Sequence, residues 1–160
     1  MTKKKLKHLV ISNYYRIINP FRHLYWFIFR PKARGAKVII FWEGKVLLTR
    51  ISYAHKNWSL PGGGVNKRET FRDAALREAR EEVGIEADNA ELFYEYHNIW
   101  QYRPHTGQCF AIHVSSGNFA IDEQEIAEAG WFYPNNLSAD TQPRAKEILL
   151  KYSEWQQNQV

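Results

Sequence analysis

The sequence predicts an α/β fold, a mixed β-sheet covered by helices, with a helical arm ahead of it. Three observations lead there. Short apolar runs bounded by turn residues, at 37–41, 45–50, 92–100, 110–114 and 130–133, read as strands. Longer stretches at 70–83 and 143–155 read as helices. The two kinds mix without strict alternation, so a mixed sheet with helices over it is the expected architecture. At 160 residues and 18.9 kDa the chain suits one domain with a sizeable core. Hydrophobic residues at 44% and charged residues at 24% exclude a wholly disordered chain.

The arm comes first. Leu6, Leu9, Val10, Tyr14, Ile17 and Ile18 fall at spacings of three and four, and Phe21, Leu24, Tyr25 and Ile28 repeat the pattern after Asn19-Pro20. Residues 1–34 therefore read as a basic amphipathic helical arm, and 35–160 as the main domain. From Met1 to Trp42 there are ten Lys/Arg and no Asp/Glu, whereas Glu43 to Val160 carries twelve against seventeen. A basic arm on an acidic body points to an anionic contact: nucleic acid, a membrane surface or the protein's own body. Two short helices packed on the domain or in a homodimer are expected. Membrane-surface and nucleic-acid contacts are the less favoured alternatives. No run approaches the roughly 18 apolar residues of a spanning helix, and no small-residue cleavage site follows, so the segment is read as retained. The single cysteine, Cys109, forbids an intramolecular disulfide or a cysteine-rich zinc site, and a reducing cytoplasm is the expected location.

After a break at Pro31–Gly35, the runs 37–41 and 45–50 flank Glu43-Gly44 and form a hairpin. Trp58-Ser59-Leu60 is a short strand candidate. Strands at 92–100 and 110–114 are expected around a turn at Arg103–Gly107, then a strand at Gly130–Tyr133 and a closing helix from Pro143 to Trp155. His97, His113 and Cys109 read as structural.

Residues 61–85 read PGGGVNKRETFRDAALREAREEVGI. Pro61-Gly62-Gly63-Gly64 is a loop where backbone approaches a ligand closely. Thr70 with Asp73 resembles a capping box. On the helix that follows, Phe71, Ala75, Ala79 and Val83 share the buried face, and Glu78, Glu81 and Glu82 share another. Each like-charge pair at this spacing costs a few tenths of a kcal/mol, roughly. Arg77 and Arg80 relieve part of that repulsion, and a hard divalent cation, magnesium or manganese, would relieve more. On the carboxylates alone, a cation site and a solvated acidic face stand as equal readings.

The spacing goes further. The segment resembles the Nudix box, Gly-x5-Glu-x7-Arg-Glu-U-x-Glu-Glu-x-Gly-U with U a bulky aliphatic. Gly63, Glu69, Arg77, Glu78, Glu81, Glu82, Gly84 and Ile85 match, and Ala79 at the first U departs. Seven fixed matches, each at a background of roughly 5–7%, arise by chance about once in a hundred million starts. The resemblance implies a Nudix-type α/β/α sandwich from about Gly35 to Tyr152 and metal-dependent hydrolysis of a nucleoside diphosphate linked to another group. It implies that Glu78, Glu81 and Glu82 hold metal, that the Gly62 carbonyl is a further ligand, that Glu69 and Arg77 pair to hold the loop–helix unit, and that Gly84 lets the chain leave the helix. Many relatives use another acid before a late Trp-containing strand. Here that is Glu125, six residues before Trp131, with Glu128 and Glu123 as alternates.

Substrate signals are weaker. Arg50, Tyr53, His55 and Lys56 precede the glycine loop and are candidates for phosphate or base contact. Tyr102, 17 residues past Ile85, resembles a tyrosine of dinucleoside polyphosphate hydrolases. The proline that would resemble ADP-ribose hydrolases is replaced by Trp100. Trp100, Tyr102 and His105 are candidates to stack a base or sugar. Three readings follow: a hydrolase of small nucleotides (a nucleoside diphosphate sugar, ADP-ribose, a dinucleoside polyphosphate or a nucleoside triphosphate), an RNA 5′-end pyrophosphohydrolase, and a non-catalytic nucleotide-binding module. The intact box argues against the last.

Overall fold

The structure is a computed structural model that describes residues 32–52, 57–100 and 102–159, with Trp100 described by its backbone. The arm expected over 1–34 lies outside the described residues up to Pro31, as do Tyr53, His55 and Lys56. The described elements run β1 (Ala33–Trp42), β2 (Lys45–Ile51), α1 (Phe71–Val83), β3 (Glu91–Trp100), β4 (Arg103–His113), β5 (Ile126–Phe132) and α2 (Pro143–Gln157). The strands form a mixed five-stranded sheet in the order β3-β4-β1-β2-β5. β1 takes in Ala33 and Arg34, residues assigned above to the arm.

Alternation along the strands builds two cores. Ala36, Val38 and Ile40 of β1, with Leu47, Phe110 and Ile112, face Ala74, Ala75, Ala79 and Val83 of α1. Ile39, Val46, Leu48, Cys109 and Ala111 point the other way and meet Ala145, Ile148, Leu149 and Tyr152 of α2. A helix on each face of one sheet is the α/β/α sandwich. Each fully buried Val, Leu or Ile contributes roughly 1.5–3 kcal/mol, so both layers stabilise the sheet.

The β1–β2 hairpin pairs Phe41 with Val46 and Trp42 with Lys45. Glu43 (φ 47°) and Gly44 (φ 72°) both take positive φ, the turn whose twist matches antiparallel strands. Three expectations need correction. Arg103–Gly107 is the first half of β4 rather than a turn. Gly107 lies inside a strand because the Tyr96 ring of β3 covers it, and a Cβ there would overlap that ring. The left-handed residue sits instead at Tyr102, with φ 65°. β5 starts at Ile126, ahead of Gly130, and pairs with β2 through Leu47–Trp131 and Leu48–Gly130. Trp58-Ser59-Leu60 forms isolated bridges, Ser59 to Thr49 and Trp58 to Thr141, in place of a strand. No helix among the described residues is long and apolar enough to cross a membrane.

Candidate active site

The site lies within the unit formed by residues 34–96 and 106–160. It is built where the glycine loop meets α1. The first half of β1 zips to the loop: Ala36 N–H donates to Gly63 O (2.9 Å), Val38 N–H to Pro61 O (3.1 Å), and Val65 N–H to Arg34 O (3.1 Å). Gly62 takes φ 132°, and a Cβ there would overlap the carbonyl of Ala36, so the approach requires glycine. α1 starts on a complete capping box, with Thr70 and Asp73 satisfying each other's backbone N–H. It ends on Gly84 in the left-handed conformation (φ 65°), with Ile85 N–H donating to Ala79 O at 3.1 Å. A Cβ on Gly84 would come within 3.0 Å of Ala120 O. Both helix ends are thereby fixed, and with them the carboxylates.

Arg77 is the hub. Its Nε donates to Glu69 Oε1 (2.8 Å), Nη2 to Glu69 Oε2 (3.2 Å) and Gly64 O (2.9 Å), and Nη1 to Glu78 Oε1 (2.8 Å) and Glu81 Oε2 (3.0 Å). Glu69 also accepts from Asn66 N–H at 2.7 Å. One guanidinium thus ties loop to helix in fork geometry that lysine could not reproduce. The bond to Glu69 is the main cause that raises the pKa of Arg77, and the same bond holds the Glu69 carboxyl below its ordinary value.

The three box carboxylates differ in surroundings. Glu78 is buried, 8% exposed, against Gly63, where a Cβ would overlap its carboxylate. Burial raises its pKa against the pull of Arg77. Glu82 accepts from Gly62 N–H at 3.1 Å. Burial pushes its carboxyl up to about 7; the Lys37 ammonium and the Gly62 N–H oppose the shift, while Glu78 and Glu125 add to it. Glu81 is exposed and bound to Arg77. Among the described residues no three His, Cys, Asp or Glu side chains converge as a preformed cage. The donors present nonetheless fit a hard divalent ion. Glu78 and Glu82 are both desolvated, every donor is oxygen, and the missing side chain of Gly63 leaves room beside the Glu78 carboxylate.

Glu125 lies at the end of the loop before β5. That loop is laid along the exit of α1 by Ala120 N–H to Val83 O (3.0 Å) and Asp122 N–H to Glu82 O (3.1 Å). Glu125 O accepts from Ser52 N–H at 2.8 Å, and its charge is felt at Glu82. Glu128 stands elsewhere, paired with Arg50 at 3.1 Å.

Arg50 is held by protein groups. It binds Glu128 and Asp140, and its guanidinium lies 4.4 Å from the Trp58 ring centroid. His113 packs on Phe41 (4.9 Å) and lies 3.1 Å from the Tyr152 hydroxyl, while Cys109 is fully buried. Within residues 97–105, Tyr102 is exposed, and His105 Nδ1 lies 3.2 Å from Asn98 Oδ1. Sequence reasoning missed Lys37. Its Nζ donates to Leu60 O (2.8 Å) and Gly62 O (3.0 Å), so the carbonyl named above as a metal ligand already carries a cation. The available signal was a lysine between two buried residues, Ala36 and Val38.

Comparison with known proteins bears on the same region. Residues 31–152 match the family model described as NUDIX domain. An RNA pyrophosphohydrolase of Orientia tsutsugamushi is 28% identical over 127 residues, covering 78% of this chain and 73% of that one. The NAD-capped RNA hydrolase NudC of Chromobacterium violaceum is 29% identical over 107 residues, 66% of this chain but 40% of its own. The crystal structure of a MutT NUDIX hydrolase from Burkholderia pseudomallei superposes with a TM-score of 0.67 at 25% identity, over 76% of this chain and 98% of that one.

Proposed function

This chain belongs to the Nudix family of hydrolases, enzymes that cleave phosphoanhydride bonds, and from that premise we propose that it is a metal-dependent pyrophosphohydrolase acting on a nucleoside diphosphate linked to a second group. The observation that carries the reading is the docking of α1 under the glycine loop, which draws Glu78 against Gly63 and Glu82 onto the Gly62 N–H. Glu78, Glu81 and Glu82 would hold magnesium or manganese, and the Gly62 carbonyl would join them only by sharing its oxygen with the Lys37 ammonium. When bound, the ion supplies charge neutralisation for the diphosphate and a more acidic water. The chain's own residues do the rest. The carboxylate face accepts the proton of the attacking water, and Glu125 assists from the loop before β5. Arg77 and Glu69 hold loop and helix in one register.

Within this reading the substrate is a small nucleotide, with Trp100 and Tyr102 as the proposed base contacts and Tyr53 and His55 as proposed contacts ahead of the glycine loop. Arg50 would join them only by leaving Glu128 and Asp140. A second reading, RNA 5′-end pyrophosphohydrolysis, is favoured by the similarity to a protein named for that activity and by the basic first quarter of the chain. A substrate screen with magnesium separates them: release of phosphate and nucleoside monophosphate from free nucleotides supports the first, and preference for triphosphorylated RNA with a steep salt dependence supports the second. Residues 1–33 are proposed to pack in a homodimer. Removing them should change the mass by light scattering or cause aggregation, and loss of vesicle binding alone would refute that role.

A further inference from the structure

Lys37 is a charged residue in a strand whose neighbours Ala36, Val38, Ile39 and Ile40 are all buried. Its place is chemically costly: burial lowers the pKa of the ammonium, although Glu82 and Glu78 favour its charged form. An aliphatic residue would suit the strand better unless the ammonium acts on something. What it touches is backbone. Nζ donates 2.8 Å to Leu60 O and 3.0 Å to Gly62 O, on either side of Pro61. Neither carbonyl has a ladder partner from β1, whose N–H groups go to Pro61 O and Gly63 O instead. Side chain and strand backbone therefore engage the four consecutive carbonyls from Leu60 to Gly63.

The residue at the centre of this clamp is Gly62. Its φ of 132° is open to few residue types, its carbonyl is held by Lys37, and its N–H is held by Glu82 Oε2 at 3.1 Å. A glycine so free in principle must be fixed from outside, since the residue itself prefers no single conformation. We propose that Lys37 is a positioning residue of the carboxylate site: its ammonium clamps the carbonyls of Leu60 and Gly62 and so holds the Gly62 N–H on Glu82. It acts through the loop and through Glu82, without touching substrate. The inference rests on the reading of the site given above, for its consequence in turnover alone.

The test uses the full chain and two variants. Amide exchange of Gly62 is followed by NMR without metal or substrate, and steady-state kinetics are measured with magnesium on whichever nucleotide the wild type cleaves. In the wild type the Gly62 amide is expected to exchange at least about a hundredfold more slowly than in an unstructured chain. Lys37→Met, which keeps the alkyl stem, should speed that exchange about tenfold or more while the amides of Leu47 and Leu48 stay protected. It should lower kcat about tenfold with KM within about twofold. Lys37→Arg, which retains a cation and donors, should recover most of both. An unprotected Gly62 amide in the wild type overturns the proposal, and that outcome needs no variant to fold. So does unchanged exchange in Lys37→Met, failure of Lys37→Arg to recover either quantity, or a large rise in KM with kcat kept, which would make Lys37 a direct substrate contact. If the wild type hydrolyses nothing, the functional reading fails while the exchange data still decide the role of Lys37.

Discussion

Replacing Arg77 by Ala removes the one group that binds Glu69, Glu78, Glu81 and the Gly64 carbonyl together. The side chains at its centre are largely shielded, 19% exposed for Arg77, 14% for Glu69 and 10% for Glu78. Removing one partner of a fully buried pair costs about 3–5 kcal/mol, because the other charge stays behind without compensation. The residual exposure here lets water screen part of that, so a loss of about 2–3 kcal/mol is expected. Glu81→Gln is the control. Its side chain is 55% exposed, and a surface pair of this kind is worth about 0.3–0.5 kcal/mol. Urea unfolding followed by circular dichroism measures both. The pH dependence has a definite sign. In the wild type Glu69 is held below its ordinary pKa, so its contribution is present above the unfolded carboxylate range and fades as pH falls. In the variant Glu78 loses its guanidinium and its pKa climbs further, a penalty that also fades as pH falls. The deficit of Arg77→Ala should therefore be largest near neutral pH and shrink in acid. A loss under about 1 kcal/mol, a loss matched by Glu81→Gln, or a deficit that grows in acid would refute the hub.

Other consequences are as definite. Gly62→Ala should destabilise by about 2–4 kcal/mol in thermal or urea unfolding, since its Cβ would overlap Ala36 O at a φ of 132°, against about 1 kcal/mol for Gly44→Ala, where φ is 72° and the space is open. Glu125→Gln should lower kcat more than it changes KM; if Glu128→Gln is the damaging variant instead, the loop acid is misassigned. Cys109, fully buried and with burial pushing its thiol up to about 12, should resist iodoacetamide at pH 8 in the native chain and react on unfolding.

Much of this was legible because the local signals are chemically narrow. Thr70 and Asp73 name a capping box, Gly84 names a left-handed helix end, and the spacing of Glu69, Arg77, Glu78, Glu81 and Glu82 is selective without any alignment. The sequence was least legible where a residue's surroundings are set by a distant neighbour. Gly107 reads as a turn glycine, yet it is small because Tyr96 lies across it from another strand. Arg50 reads as a candidate phosphate or base contact, and only the fold shows that Glu128 and Asp140, far along the chain, already pair with it. Lys37 reads as a strand residue, and only the folded loop brings two carbonyls to its ammonium. Long-range polar contacts leave no periodicity to read, whereas caps and helix faces do.

The most direct test of the functional account is a nucleotide hydrolysis assay run on the wild type and Glu82→Gln at saturating magnesium, with circular dichroism to confirm that both are folded. The account expects phosphoanhydride cleavage by the wild type, its abolition by a chelator and recovery on adding magnesium or manganese, and a fall of roughly a hundredfold or more in turnover for the variant, the scale on which key electrostatic groups act. A folded Glu82→Gln with wild-type turnover, or cleavage indifferent to the chelator, would contradict it.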